Sequence, residues 1–321
     1  MVNISRAPLT LKSLVEKELK TQGPKGLEVV VRAIQKKHRE AILAMVFYGS
    51  CLRSNDLHDG ILDLYVLVDS YMAFYKRPLM ALWNFLLPPN VFYLETGSGE
   101  DKLRIKYAVI SLSQLERATT TLWFHSYFWA RLCQPVRLIF FKDQQVFERV
   151  KKCVLSALFT FFVRTLPCIE KDFSEEMLWC KGLALTYRAE LRPERQERAR
   201  TIWQSNKKYL KQITPYVLSW LNGGNSHIIS KKAGSYRLDA SFSQLFACKM
   251  PWIARIALGK LLSVFRLVKA AFTFRGGVDY ALWKIKRHTG IELELSPFLK
   301  RHPVLAMVFA SWRLFLYRAI R

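Results

Sequence analysis

The chain has 321 residues, 51% of them hydrophobic, enough to fill one large core or two modest ones. Lysine and arginine number 50 against 25 acids, and the resulting +25 points to polyanionic partners: nucleic acid, nucleotides or an anionic membrane surface. An aromatic content of 13% and a mean hydropathy of +0.04 exclude a disordered basic tail and lean towards the membrane.

The six cysteines, Cys51, Cys133, Cys153, Cys168, Cys180 and Cys248, form no C-x-x-C pair, which argues against a zinc or redox motif and for free, mostly buried thiols. Met1 to Gln22 mixes Lys12, Glu16, Lys17, Glu18 and Lys20 with no apolar run, so no secretory signal is expected. Leu11–Lys20 and Leu27–Ala41 have helical apolar spacing on either side of a Gly23-Pro24-Lys25-Gly26 breaker.

The run from Ile42 to Phe47 reads as a buried strand that ends in Tyr48-Gly49-Ser50-Cys51-Leu52-Arg53, and a second strand follows from Ile61 to Asp69. Strand, Gly-Ser loop, strand with an acid near its start is the skeleton of a nucleotidyltransferase site, in which backbone N–H groups and a hydroxyl cradle a triphosphate. Asp63 would hold Mg²⁺ against it, because a hard cation prefers carboxylate, water and phosphate oxygens. The usual pattern has two acids two positions apart; here Ile61 occupies the first place. Asp69 shares a strand face with Asp63, but a rise of ~3.3 Å per residue leaves them about 20 Å apart, too far to share an ion. A second ligand could come from Asp59 or from another strand, and the loop could equally be a plain Gly-Ser turn before a buried strand. The order of strands is expected to put the loop at a sheet edge.

Met72–Leu87 is aromatic and helical after Pro78, closing at Pro88-Pro89. Val91–Leu94 and Leu103–Ile110 read as paired strands about Gly97-Ser98-Gly99, with Arg104 and Lys106 on one face, able to neutralise a triphosphate or simply to mark a solvated edge. A helix over Leu115–Ala130 and a last strand over Val136–Phe141 complete an α/β nucleotidyltransferase (polymerase-β-like) domain over 1–143. Residues 144–250 read as a helical, winged-helix-like domain, with a helix capped by Asp172 or Ser174 and a hairpin near Gly223-Gly224-Asn225 and Tyr236-Arg237-Leu238. Residues 251–321 read as a basic, amphipathic, membrane-associating region: an apolar helix Ile253–Phe274 studded with Arg255, Lys260, Arg266 and Lys269, then Val304–Ile320, whose apolar and cationic residues separate as in an interfacial helix, or as in a core helix packed on the domain with its arginines outward.

In order along the chain, these blocks resemble the mitochondrial translocator-maintenance family of phosphatidate cytidylyltransferases. Tyr48-Gly49-Ser50 is similar to that family's Tyr-Gly-Ser-Gly, and Leu62-Asp63-Leu64 to its single-aspartate strand. Arg104 to Ser111 resembles its Ile-Lys-Tyr-Gly-Val-Ile-Ser, and Arg131-Leu132 with Pro135-Val136 resembles Gly-Arg-Leu-x-Lys-Pro-Val. Further on, Phe173-Ser174-Glu175-Glu176, Tyr187 with Glu190-Leu191-Arg192, and Lys269 to Gly277 are similar to its later motifs. Similarity runs in blocks from Phe47 to Gly277. Cys51 departs from a glycine, which would put a side chain where backbone meets phosphate; Ala108, Ala130, Gln134 and Glu190 are further departures.

The resemblance implies a bacterial CTP:phosphatidate cytidylyltransferase that makes CDP-diacylglycerol and pyrophosphate for phospholipid synthesis. It implies catalytic roles for Asp63, Lys106 and Ser50, with Asp63 the ligand of Mg²⁺. Tyr48, Gly49, Ser50, Lys106, Arg131 and Arg192 would bind CTP or phosphatidic acid. The protein would sit peripherally on the cytoplasmic face of the inner (plasma) membrane, or at the mitochondrial inner membrane if eukaryotic. The alternatives from the residues are a nucleic-acid-directed nucleotidyltransferase or winged-helix binder, and an inactive membrane-bound relative.

Overall fold

A computed structural model describes residues 4–38, 41–58, 60–97, 102–190, 196–223, 228–232, 234–239 and 242–273, with isolated positions beyond. Asp59, Ser98, Gly99, Arg192, Gly224 and Asn225 lie outside the described residues, as does most of the expected Val304–Ile320 helix.

Two helices, α1 (Leu9–Lys20) and α2 (Leu27–His38), precede strand β1 (Ile42–Tyr48). A short helix α3 (Ser50–Ser54) leads to β2 (Leu62–Val68), then α4 (Tyr71–Tyr75) and α5 (Pro78–Leu86). Strands β3 (Asn90–Thr96) and β4 (Leu103–Ser111) follow, then α6 (Leu112–Ala118), α7 (Trp129–Leu132) and β5 (Arg137–Phe141). The sheet order is β3-β4-β2-β1-β5, antiparallel except where β2 and β4 run parallel. The fold is thus α/β with a mixed sheet. Alternate residues feed opposite layers, as period-two strands demand. Val46, Tyr65 and Ile110 enter the core beneath α1 and the long helix Gln144–Thr165, whereas Phe47, Leu64 and Val109 enter the one beneath α2 and α4.

After β5 come α8 (Gln144–Thr165), β6 (Asp172–Ser174), α9 (Glu175–Arg188), α10 (Gln196–Asn222), β7 (Ile228–Lys232), β8 (Ser235–Leu238) and α11 (Phe242–Thr273). Asp143 caps α8 by accepting from Val146 N, and Ser174 caps α9 by accepting from Met177 N. Asp172 instead lies in β6, which pairs with β8 to give a small β6-β8-β7 sheet.

Three expectations are corrected. Leu115–Ala130 is not one helix, because the carbonyls a helix would need are taken from outside: Thr119 O accepts from Ser156 and Thr160, and Thr121 O and Phe124 O accept from Arg164. The Gly-Ser loop follows an interior strand, since β1 lies between β2 and β5. The helix expected from Ile253 starts at Phe242 and carries Pro251 inside it; just after that proline, Trp252 Nε1 donates to Arg164 O at 2.7 Å. Two of the four cations named on it, Arg255 and Lys269, are buried.

Candidate functional site

The parallel pairing of β2 and β4 puts Asp63 and Lys106 side by side in register. Lys106 Nζ lies 3.6 Å from Asp63 Oδ1, with both side chains about a quarter to a third exposed (26% and 30%). Above them runs the turn out of β1. Gly49 has φ +100, a conformation that only glycine adopts without strain, and a Cβ there would lie 2.8 Å from Asp63 Oδ2. The glycine is fixed twice over, by the turn and by the carboxylate beneath it.

The turn and the two strands form one end of a cavity of about 410 Å³. Tyr48, Gly49, Arg53, Asp63 and Lys106 line this end; Tyr127 and Arg131 come from the segment through α7, and Arg198 from α10. The opposite wall is α11, through Ser263, Arg266, Leu267 and Lys269. Six cationic side chains and two carboxylates, Asp63 and Glu190, thus face one space. Glu190 is engaged with Arg131 in a two-pronged pair at 2.8 and 2.9 Å, both side chains only 11% exposed. Burial works against the Arg131 charge, but Glu190 and the surrounding tyrosines outweigh it and hold the guanidinium well above its usual range. Asp63 is therefore the one carboxylate of this cavity, among the described residues, that is not locked into a buried arginine pair.

The remaining cations are set by desolvation and by one another. Burial and then the charge of Arg198 pull Arg53 below its ordinary range. Neither Arg53 nor Arg198 has an ion-pair partner among the described residues. Burial, followed by the charge of Arg266, lowers Lys269 to about 7. Lys269 Nζ donates to Pro89 O at 3.1 Å and to Leu87 O, and Arg266 Nε donates to Pro88 O at 3.0 Å. The Tyr127 ring lies between two guanidiniums, Arg131 at 4.0 Å and Arg266 at 4.3 Å from its centroid. Arg266 Nη2 is buried with no partner among the described residues. A cavity of this size with surplus cationic donors suits a ligand carrying several phosphate-type oxygens.

Of the residues singled out from sequence, Tyr48, Gly49, Asp63, Lys106 and Arg131 share this cavity. Arg131 does so as a buried partner of Glu190, not as a loose cation. Ser50 opens α3 and does not itself line the cavity, and Arg192 lies outside the described residues. Cys51 does not intrude where backbone would meet phosphate: its side chain is buried in the core and Sγ donates to Ile61 O at 3.2 Å. Asp69 is exposed just beyond the far end of β2. The reading from sequence missed Arg53, Tyr127 and Arg198, and it placed Arg266 and Lys269 on a membrane-facing helix. Arg53, three residues past Ser50, was within the motif; the 266/269 spacing marks one helix face and does not say which way it points.

No protein-family model matches the chain, and no curated protein matches it. Among solved structures, a nucleotidyltransferase-like protein from Exiguobacterium sibiricum aligns over 92% of this chain and 92% of its own, at 11% identity and a TM-score of 0.27. That score is too low to support a shared fold, so the α/β description rests on the strand order and registers above.

Proposed function

We propose that this chain is a nucleotidyltransferase that moves the cytidylyl group of CTP onto phosphatidate, giving CDP-diacylglycerol and pyrophosphate. The observation that carries the reading is the Asp63–Lys106 pair under Gly49, at the end of a cavity walled by arginine and lysine. CTP and phosphatidate are taken from the sequence resemblance; the cationic lining fits both, as each presents phosphate oxygens.

The reaction needs alignment and charge neutralisation more than a proton shuttle. A phosphate oxygen of phosphatidate attacks the α-phosphorus of CTP, a new P–O bond forms, and the bond to pyrophosphate breaks. The nucleophile is already anionic, so no base is required. Lys106 and Arg53 would offset the triphosphate charge, and the backbone at Gly49 would approach it closely, having no side chain in the way. Arg266, with an unused Nη2, is placed to take an acceptor phosphate at the α11 wall.

Mg²⁺ fits this donor set in one manner only. No group of three or more His, Cys, Asp or Glu able to hold an ion occurs among the described residues, so the protein would offer Asp63 and the rest would come from triphosphate and water. Bound there, the ion would add to the neutralisation of the triphosphate.

Purified protein incubated with labelled CTP and phosphatidate in detergent is expected to form CDP-diacylglycerol. Absence of product together with absence of CTP binding by calorimetry would refute the proposal.

A further inference from the structure

Two helices of this protein are inside out. In α5 the buried residues are Ala81 and Asn84, the latter 0% exposed with Nδ2 donating to Val109 O at 3.0 Å. Leu79, Leu82, Trp83, Phe85 and Leu86 of the same helix face solvent. In α11 Arg255 and Lys269 are 5% and 7% exposed, tied to carbonyls of Phe124, Leu87 and Pro89. The outward residues there include Ile253, Leu261, Phe265, Leu267 and Val268, with Leu267 64% exposed, beside the single exposed cation Lys260 among the described side chains of the helix from Met250 on. A water-facing helix shows the opposite arrangement.

The hydrogen bonds that turn the polar groups inward also join the two faces. Lys269 and Arg266 clip the end of α11 to residues 87–89, directly after α5, and Arg255 clips its earlier part to Phe124, beyond which Leu122 is exposed. From Ile253 to Val268 the helix runs roughly 22 Å at 1.5 Å per residue. Soluble monomers rarely leave a continuous apolar area of that extent uncovered.

We propose that the outward faces of α5 and α11 form one surface that docks into the interface of an anionic lipid bilayer. Charge decides between a bilayer and a second copy of the chain. Lys76, Arg77 and Lys260 are exposed beside the apolar residues, and the chain as a whole carries +25, so two copies would repel where anionic headgroups attract. Trp83 suits the headgroup level, where an amphipathic ring is at home. No described helix is long and apolar enough to cross a membrane, so the contact lies in the plane of the surface. Leu267 lines the cavity and is exposed, which puts an opening of the cavity at the edge of this face. The expected amphipathic tail is not needed for this contact, and the surface stands whether or not the cavity transfers nucleotides.

The test is co-sedimentation of the full chain with vesicles of phosphatidylcholine containing phosphatidylglycerol, a composition free of the proposed substrate. Leu82→Ser with Phe265→Ser, both outside the cavity lining, is expected to weaken binding about ten-fold or more by removing inserted apolar area without changing charge. Unchanged binding by a folded double variant overturns the proposal. So does a wild-type dimer that the variant converts to monomer while lipid binding persists, because the face would then be a self-interface. Hydrogen exchange of the wild type with and without vesicles gives a reading free of any folding defect: protection of α5 and α11 supports the proposal, and protection confined to other segments overturns it. Calorimetric titration of the wild type with CTP separates the two readings, since failure there sinks nucleotidyl transfer and leaves the vesicle result standing.

Discussion

Gly49 and Asp63 occupy one space: the atom that any other residue would add at Gly49 falls 2.8 Å from Asp63 Oδ2 and 3.1 Å from its Cβ. Turn and carboxylate are thereby fitted to each other before any ligand is considered. Gly49→Ala is expected to cost about 1–3 kcal/mol, from the positive φ and the clash together, and to push the carboxylate away from Lys106. Chemical denaturation and cytidylyl transfer measured side by side check this. An alanine variant with wild-type stability and turnover would show that the close approach is not required.

Asp63→Asn separates chemistry from folding. The pair with Lys106 is partly exposed, so its loss should change stability by less than about 1 kcal/mol, while transfer from CTP falls to background. Product formed at the wild-type rate would remove Asp63 from the site.

The extent to which this arrangement is legible in the sequence follows from what each segment bonds to. Strands β1, β2, β3 and β4 declare themselves because their buried faces repeat within the strand, and Ser174 caps the helix that directly follows it. The loop from Thr119 to Phe128 does not, since its carbonyls are claimed by Ser156, Thr160 and Arg164, some forty residues later. The same holds for Arg131, whose partner Glu190 is 59 positions away. For α11, the spacing alone does not say which face turns inward. The usual assumption that charge faces water then points the helix the wrong way, because the main-chain oxygens at 87–89 and at Phe124 supply the partners.

The Arg131–Glu190 pair should behave as a unit. Glu190→Gln leaves a buried guanidinium uncompensated and is expected to cost about 3–5 kcal/mol in urea denaturation. Arg131→Met combined with Glu190→Met should cost clearly less than the two single changes added together. Simple additivity would mean that the groups are not coupled.

His125 gives a pH signature. Burial first, then the charges of Arg266 and Arg164, lowers it to about 3, whereas the unfolded chain titrates near 6.5. Between these values the unfolded state holds more protons, so stability falls as pH drops below about 6.5, by up to ~1.4 kcal/mol per pH unit. Melting temperatures of wild type and His125→Phe, compared from about pH 6.5 to 5, should diverge because the variant lacks that slope. Parallel curves would mean that the imidazole is not kept neutral by the fold.

Arg266 and Lys269 donate to main-chain oxygens of Pro88 and Pro89, and Arg53 and Arg198 line the same chamber, close enough for the charge of one to act on the other. Folding has therefore crowded like charges together and fixed where they point. A polyanion entering there would meet donors already in place and would relieve that crowding, so its binding would be favoured by repulsion stored in the chamber.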